Sequence, residues 1–151
     1  MSKLTTDTEQ LAALVAAKLQ VLEILVRLSR HQVEVIEAGD MTLLMKLLAG
    51  KQTVMSQLQT IERDLTPFRD EDPERRTWRS PGERTVCQSR AEQCNTLLAE
   101  AMELEKRAEA AMVDRRDAAA IALAAIQIGS DAKAAYATMG PLSSASLQVE
   151  G

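Results

Sequence analysis

Leu44, Leu47, Lys51, Val54, Leu58, Ile61 and Leu65 recur at alternating steps of three and four. On an α-helix that spacing gathers them into one continuous stripe, interrupted only at Lys51, and such a stripe is stable in water only when another helix covers it. A chain organised around it is expected to pack helices, its own or a partner's.

Composition narrows how that packing is done. The 151 residues contain one Phe, one Trp and one Tyr, so a core of stacked rings is not available and Leu, Ala, Val, Ile and Met must fill it. Small Ala side chains let helix backbones approach while Leu occupies the gaps. The formal charge is -4, with acids and bases interspersed. The densest charged run, 69–84, sets five arginines against five acids and cancels, so the basic stripe needed to read a nucleic-acid backbone is missing and nucleic-acid binding is disfavoured. No stretch of eighteen apolar residues is present, so stable membrane insertion is not expected. The first residues lack the apolar core of a signal peptide, and a cytoplasmic location is the expectation.

Punctuation residues divide the chain. Thr6 followed by Glu9 has the form of a capping box, which predicts a first helix over 7–38 carrying Leu11, Val15, Leu22, Leu25 or Val26, Ser29, Val33 and Ile36 on one side. Gly39 suits the left-handed position after a helix end, and Asp40 suits the N-cap of the next. A second helix is predicted over 41–66, stopped at Pro67 by the missing N–H and the ring clash. Residues 67–80 read as a charged, mobile loop with two prolines. Ser80, Pro81 and Glu83 then place an N-cap, a preorganised first position and a capping-box partner in register, predicting a long helix over 81–128 that ends at Gly129. Residues 131–138 are able to add two more turns, and the segment 129–151 is expected to be partly disordered, with 140–151 as a loose tail.

At about 1.5 Å per residue these helices would measure about 48, 39 and 70 Å, long enough for the third to lie against the other two. The expected fold is therefore all-α, an elongated antiparallel helical hairpin or bundle with coiled-coil-like packing in one domain. Helices one and two would run nearly end to end, or bend at Gly39 into a third layer.

Searches for chemistry in the sequence find little. His31 is the sole histidine, and no Gly-rich phosphate loop, His-Glu-x-x-His pair or nucleophile elbow occurs. A di-iron site would need Glu-x-x-His motifs. Carboxylate pairs such as Glu100 and Glu103 stand among lysines and arginines, as on any solvated helix face. Cys87 and Cys94 are seven apart, about 10 Å along one helix, which is beyond disulfide reach within it; they read as seam thiols, with a crosslink between two copies as the alternative. The expectation is a protein that is not an enzyme and needs neither cofactor nor metal.

Two places invite a partner instead. Trp78 stands in a polar loop, where its ring either folds back over the end of the bundle or anchors a partner. The Ala-rich end of the third helix, with Ala118, Ala125, Ile121, Leu123 and Ile126, gains little from packing on itself. It is either the thin end of the bundle or a face on which a partner's apolar stripe is received.

From His31 onward the chain resembles the FlgN family, bacterial flagellar export chaperones for hook-filament junction proteins. The resemblance lies in Glu34-Val-Ile-Glu-Ala-Gly-Asp40, Leu43-Leu44, Leu47-Leu48, Lys51-Gln52, Leu58 and Ile61-Glu62, followed by a variable charged loop and a long helix from Ser80. It covers about residues 9–128. It implies a helical chaperone that covers the amphipathic terminal helices of an unfolded export client and prevents their premature assembly. It also implies docking on the export gate through a C-terminal tyrosine, a place taken here by Tyr136 in Lys133-Ala-Ala-Tyr-Ala-Thr-Met-Gly140. The competing expectation is a structural coiled coil or adaptor whose heptads pair copies of the chain, as in a homodimer.

Overall fold

The computed structural model describes the backbone of residues 2–150 and the side chains of residues 6–138. The fold is all-α: α1 (Ser2–Ala38), α2 (Met41–Arg69), a short 3-10 turn at Pro73–Arg75 and α3 (Pro81–Glu150), with no strand among the described residues. The chain divides into two compact units, Met1–Met112 and Val113–Gly151.

In the first unit the three helices form an up-down-up bundle cored by three layers. One end joins Leu11 and Val15 of α1 to Leu65 and Phe68 of α2 and Cys87 of α3. The middle joins Val21, Leu22, Leu25 and Val26 to Val54 and Leu58 and to Cys94, Ala101 and Leu104. The far end joins Val35 and Ile36 to Leu44 and Leu47 and to Ala108. This order makes α2 antiparallel to both neighbours and α1 parallel to α3, so of the two arrangements open at Gly39 the molecule adopts the bent, three-layered one. The stripe from Leu44 to Leu65 is consumed inside it. Along α3 the buried positions include Cys87, Cys94, Ala101 and Ala108, seven apart, joined by Leu104; small side chains in such a register permit close helix contact.

The turn between α1 and α2 needs only two residues. Gly39 has φ 76°, and its N–H donates to Ile36 O at 3.0 Å while Asp40 N donates to Val35 O at 3.2 Å, the paired bonds that close a helix through a left-handed residue. Asp40 then turns from terminator to initiator, its Oδ1 accepting from Leu43 N at 3.0 Å. At the start of α3, Ser80 Oγ accepts from Glu83 N at 3.2 Å, with Pro81 in the first helical position.

Three helix limits differ from the sequence expectation, each for a physical reason. Thr6 and Glu9 lie inside α1, which begins at Ser2; a threonine within a helix costs only a few tenths of a kcal/mol, so nothing obliges the helix to start there. Pro67 lies inside α2, which runs on to Arg69. Pro67 forfeits one hydrogen bond, but the next residue, Phe68, is buried, a contribution of roughly 2 kcal/mol, and its carbonyl accepts from Arg76 Nη2 at 2.6 Å. Gly129 does not end α3: its penalty of about 1 kcal/mol is spread over a run of alanines, the best helix formers, and the helical backbone continues to Glu150 through the segment expected to be partly disordered. The side chains of 139–151 lie outside the described residues.

The connection between α2 and α3 is held at both ends. Thr8 Oγ1 donates to Thr77 O at 2.8 Å across to α1, Arg79 pairs with Glu9, and Arg84 Nη2 reaches Glu74 Oε1 at 3.1 Å. The expectation of a mobile loop missed these contacts because each partner is remote in sequence or hidden among charges that looked equivalent.

Candidate functional site

In the second unit every residue from Val113 to Thr138 is exposed. Ile121, Leu123, Ile126 and Ile128 show 71, 65, 66 and 69% of their surface, and Tyr136 shows 79%. Large apolar side chains this open, recurring within two turns, are unusual for a helix that has found its packing partner. Ala118 and Ala125 are exposed with them.

Helix geometry divides these residues into two faces. Successive side chains turn by about 100°, so Ile128 returns to within about 20° of Ile121, with Ala118, Ala125 and Tyr136 within about 60°. Leu123 and Ile126 fall about 140–160° away, on the opposite side. The grouping of Ile121, Leu123 and Ile126 as a single seat is therefore corrected: one partner helix meets Ile121, Ala125 and Ile128, or it meets Leu123 and Ile126. The spacing 118, 121, 125, 128, 132 on the first face is the three-four alternation of a coiled-coil seam.

Trp78 belongs to the first unit. It is half-buried and packs against the end layer of Leu11, Val15, Leu65, Phe68 and Cys87, which is the folded-back arrangement. Beside that layer lies a cavity of about 250 Å³ between Thr8, Leu11, Phe68, Arg75 and Arg76. Arg76 lines it, with Nε 3.7 Å from Glu71 Oε2 in addition to its bond to the Phe68 carbonyl.

A third feature was not read from the sequence. Around Lys51, the one polar member of the α2 stripe, the bundle holds a polar layer: Lys51 Nζ donates to Gln32 Oε1 at 2.8 Å and pairs with Glu105 at 2.5 Å. A groove of about 450 Å³ opens beside it between α2 and α3, lined by Leu48, Met55, Leu98 and Met102, with Ser29 at its floor. Ser29 is 2% exposed and its hydroxyl has no hydrogen-bond partner. The signal was the lysine itself, since a charge at a seam position implies partners on the facing helices.

Burial shifts Cys87, Cys94 and Lys18. Both cysteines are free, and burial pushes both thiols up; Arg76 and Arg90 oppose the shift at Cys87, and Lys18 opposes it at Cys94. These are protonated, poorly nucleophilic thiols. Desolvation lowers the Lys18 ammonium, which nevertheless pairs with Glu62 at 2.7 Å. His31 is exposed on α1. Among the described residues no cluster of His, Cys, Asp and Glu has the form of a metal site, and no helix is long and apolar enough to cross a membrane.

No family model, no curated protein and no solved structure matches the chain.

Proposed function

We propose that this protein is a cytoplasmic export chaperone of the FlgN type, which covers an amphipathic terminal helix of a hook-filament junction protein and keeps it from assembling early. The observation that carries the reading is the exposed apolar run of α3 in the second unit, whereas the stripe of the first unit is already closed within that unit. A client kept unfolded for export carries apolar helical stripes that self-associate; laying one along Ile121, Ala125 and Ile128 removes apolar surface from water on both partners. Binding alone is the activity, with no cofactor and no reacting group, and release follows from competition or unfolding at the export machinery. Tyr136, on the same side of α3, is the proposed contact to the export gate. The local pattern that carries the resemblance, Glu34 to Asp40 followed by the Leu pairs of α2, supports the reading by supplying the break between the first two helices.

A labelled C-terminal helix peptide from a hook-filament junction protein, titrated into the wild type and into Ile121→Asp, Ile128→Asp and Leu123→Asp, tests it. The first two substitutions are expected to weaken binding at least tenfold and the third to leave it within about twofold, while all three remain folded. Failure of the wild type to bind defeats the reading. Judged by spacing alone, the Ile121 face also suits a coiled coil between copies, and sedimentation of the chain alone separates that structural role: a constitutive dimer abolished by Ile121→Asp favours it.

A further inference from the structure

The charges of the second unit are sorted by face. Taking Ile121 as the reference and about 100° per residue, Asp114, Asp117 and Asp131 fall at about +20°, −40° and −80°, alongside Ile128, Ala125 and Ala132. Arg115, Arg116 and Lys133 fall at about 120–220°, alongside Leu123 and Ile126. Between Val113 and Thr138 no basic residue lies within about 90° of Ile121, and no acidic residue within about 90° of the opposite pole. The net charge of the run is zero, so the separation is one of position alone.

Two of the acids are held only lightly. Asp117 Oδ1 is 3.5 Å from Arg116 Nη2 in an exposed pair, and Asp131 Oδ1 accepts from Gln127 Nε2 at 3.0 Å, also in the open. Exposed contacts of this kind exchange readily for a better-placed cation.

We infer that the face bearing Ile121, Ala125 and Ile128 is specific for an amphipathic helix whose apolar stripe is edged by lysine or arginine. This rests on the reading of the distal run as a docking surface and names the partner chemistry that surface selects. A second copy of the chain is a poor occupant of the same face, because isologous pairing sets an acid-edged stripe against an acid-edged stripe with no cation between them. A partner with basic flanks meets carboxylates at both ends of the contact, Asp114 and Asp117 at one and Asp131 at the other, and one with acidic flanks is repelled there, so discrimination comes from both attraction and repulsion.

Two designed amphipathic helical peptides with the same apolar stripe, one flanked by Lys and one by Glu, serve as probes in fluorescence anisotropy with the full chain. The Lys-flanked peptide is expected to bind at least tenfold more tightly at low salt, with the advantage shrinking as salt rises. The triple variant Asp114→Lys, Asp117→Lys, Asp131→Lys is expected to reverse the preference. Reversal of the opposite face, Arg115→Glu, Arg116→Glu, Lys133→Glu, is expected to leave it unchanged. Equal binding of both peptides, or an unchanged preference in the acid-to-lysine variant, overturns the inference while leaving a docking surface in place. Binding of neither peptide overturns the docking surface and the inference together. A concentration-dependent dimer that competes with the Lys-flanked peptide assigns the face to a second copy and overturns the inference as well.

Discussion

The stripe from Leu44 to Leu65 and the run from Ala118 to Ile128 both carry apolar residues at three-four spacing, and one is closed while the other is open. In the bundle Leu44, Leu47, Leu58 and Leu65 of α2 pack in layers shared with α1 and α3, and full burial of such a side chain contributes about 1.5–3 kcal/mol. In the distal run alanine dominates, the larger groups are split between two sides of the helix, and every side chain faces solvent. The helices also differ in length: α1 has 37 residues and α2 29, against 70 in α3. Apolar periodicity therefore reports that a helix wants a neighbour without saying whether that neighbour is internal.

The contrast is broken most directly by charge insertion. Leu58→Asp places an unpaired carboxylate in the middle layer and is expected to destabilise the bundle by about 3–5 kcal/mol in urea unfolding, whereas Ile121→Asp is expected to change stability by less than about 0.5 kcal/mol. Similar losses at both sites would mean that the distal run is covered in solution.

Lys51→Ala sharpens the same contrast from the polar side. Removing the ammonium leaves the buried Gln32 carbonyl oxygen without its donor and Glu105 without its partner, and a loss of about 1–3 kcal/mol is expected in thermal unfolding. An unchanged midpoint would show that water replaces the lysine at no cost and that this layer is wetter than the apolar layers around it.

The smallest effect concerns the pH dependence of the bundle. Both thiols titrate above their ordinary value of 9.0 because burial disfavours the thiolate. The unfolded chain thus releases these protons first, and the stability they contribute is complete below the unfolded value and lost as pH rises towards the folded one. Lys18, shifted down by desolvation, works in the opposite direction; Cys94 counters that shift in the wild type, so its removal strengthens the opposing contribution and adds to the expected difference. Unfolding followed from pH 8 to 10 is expected to show a steeper decline for the wild type than for Cys87→Ala, Cys94→Ala; identical slopes would remove the thiols from the account.

What the sequence disclosed and what it hid follow from the range of the interactions. Gly39, Asp40, Ser80 and Pro81 were legible because a cap is made by residues within five of one another. The α2 stripe was legible because helical period and burial coincide. The persistence of α2 through Pro67 was not, since it depends on Phe68 finding α1 and on an arginine from the following loop. The placement of Trp78 was open for the same reason. At the distal run the residue types were visible but their grouping was misjudged, because proximity along the chain stood in for angle around the helix.

The two-residue turn at Gly39 and Asp40 has a consequence for how this molecule tolerates change. With both helix ends fastened to adjacent residues, there is no slack between α1 and α2 to absorb an added residue. An insertion there, or a deletion, would turn α2 by about 100° relative to its cap and carry Leu44, Leu47 and Val54 away from α1 together. The loop before α3 has eleven residues, 70–80, in which to take up such a change. Length variation among descendants of this chain is therefore expected to accumulate between α2 and α3, while the first turn stays at two residues.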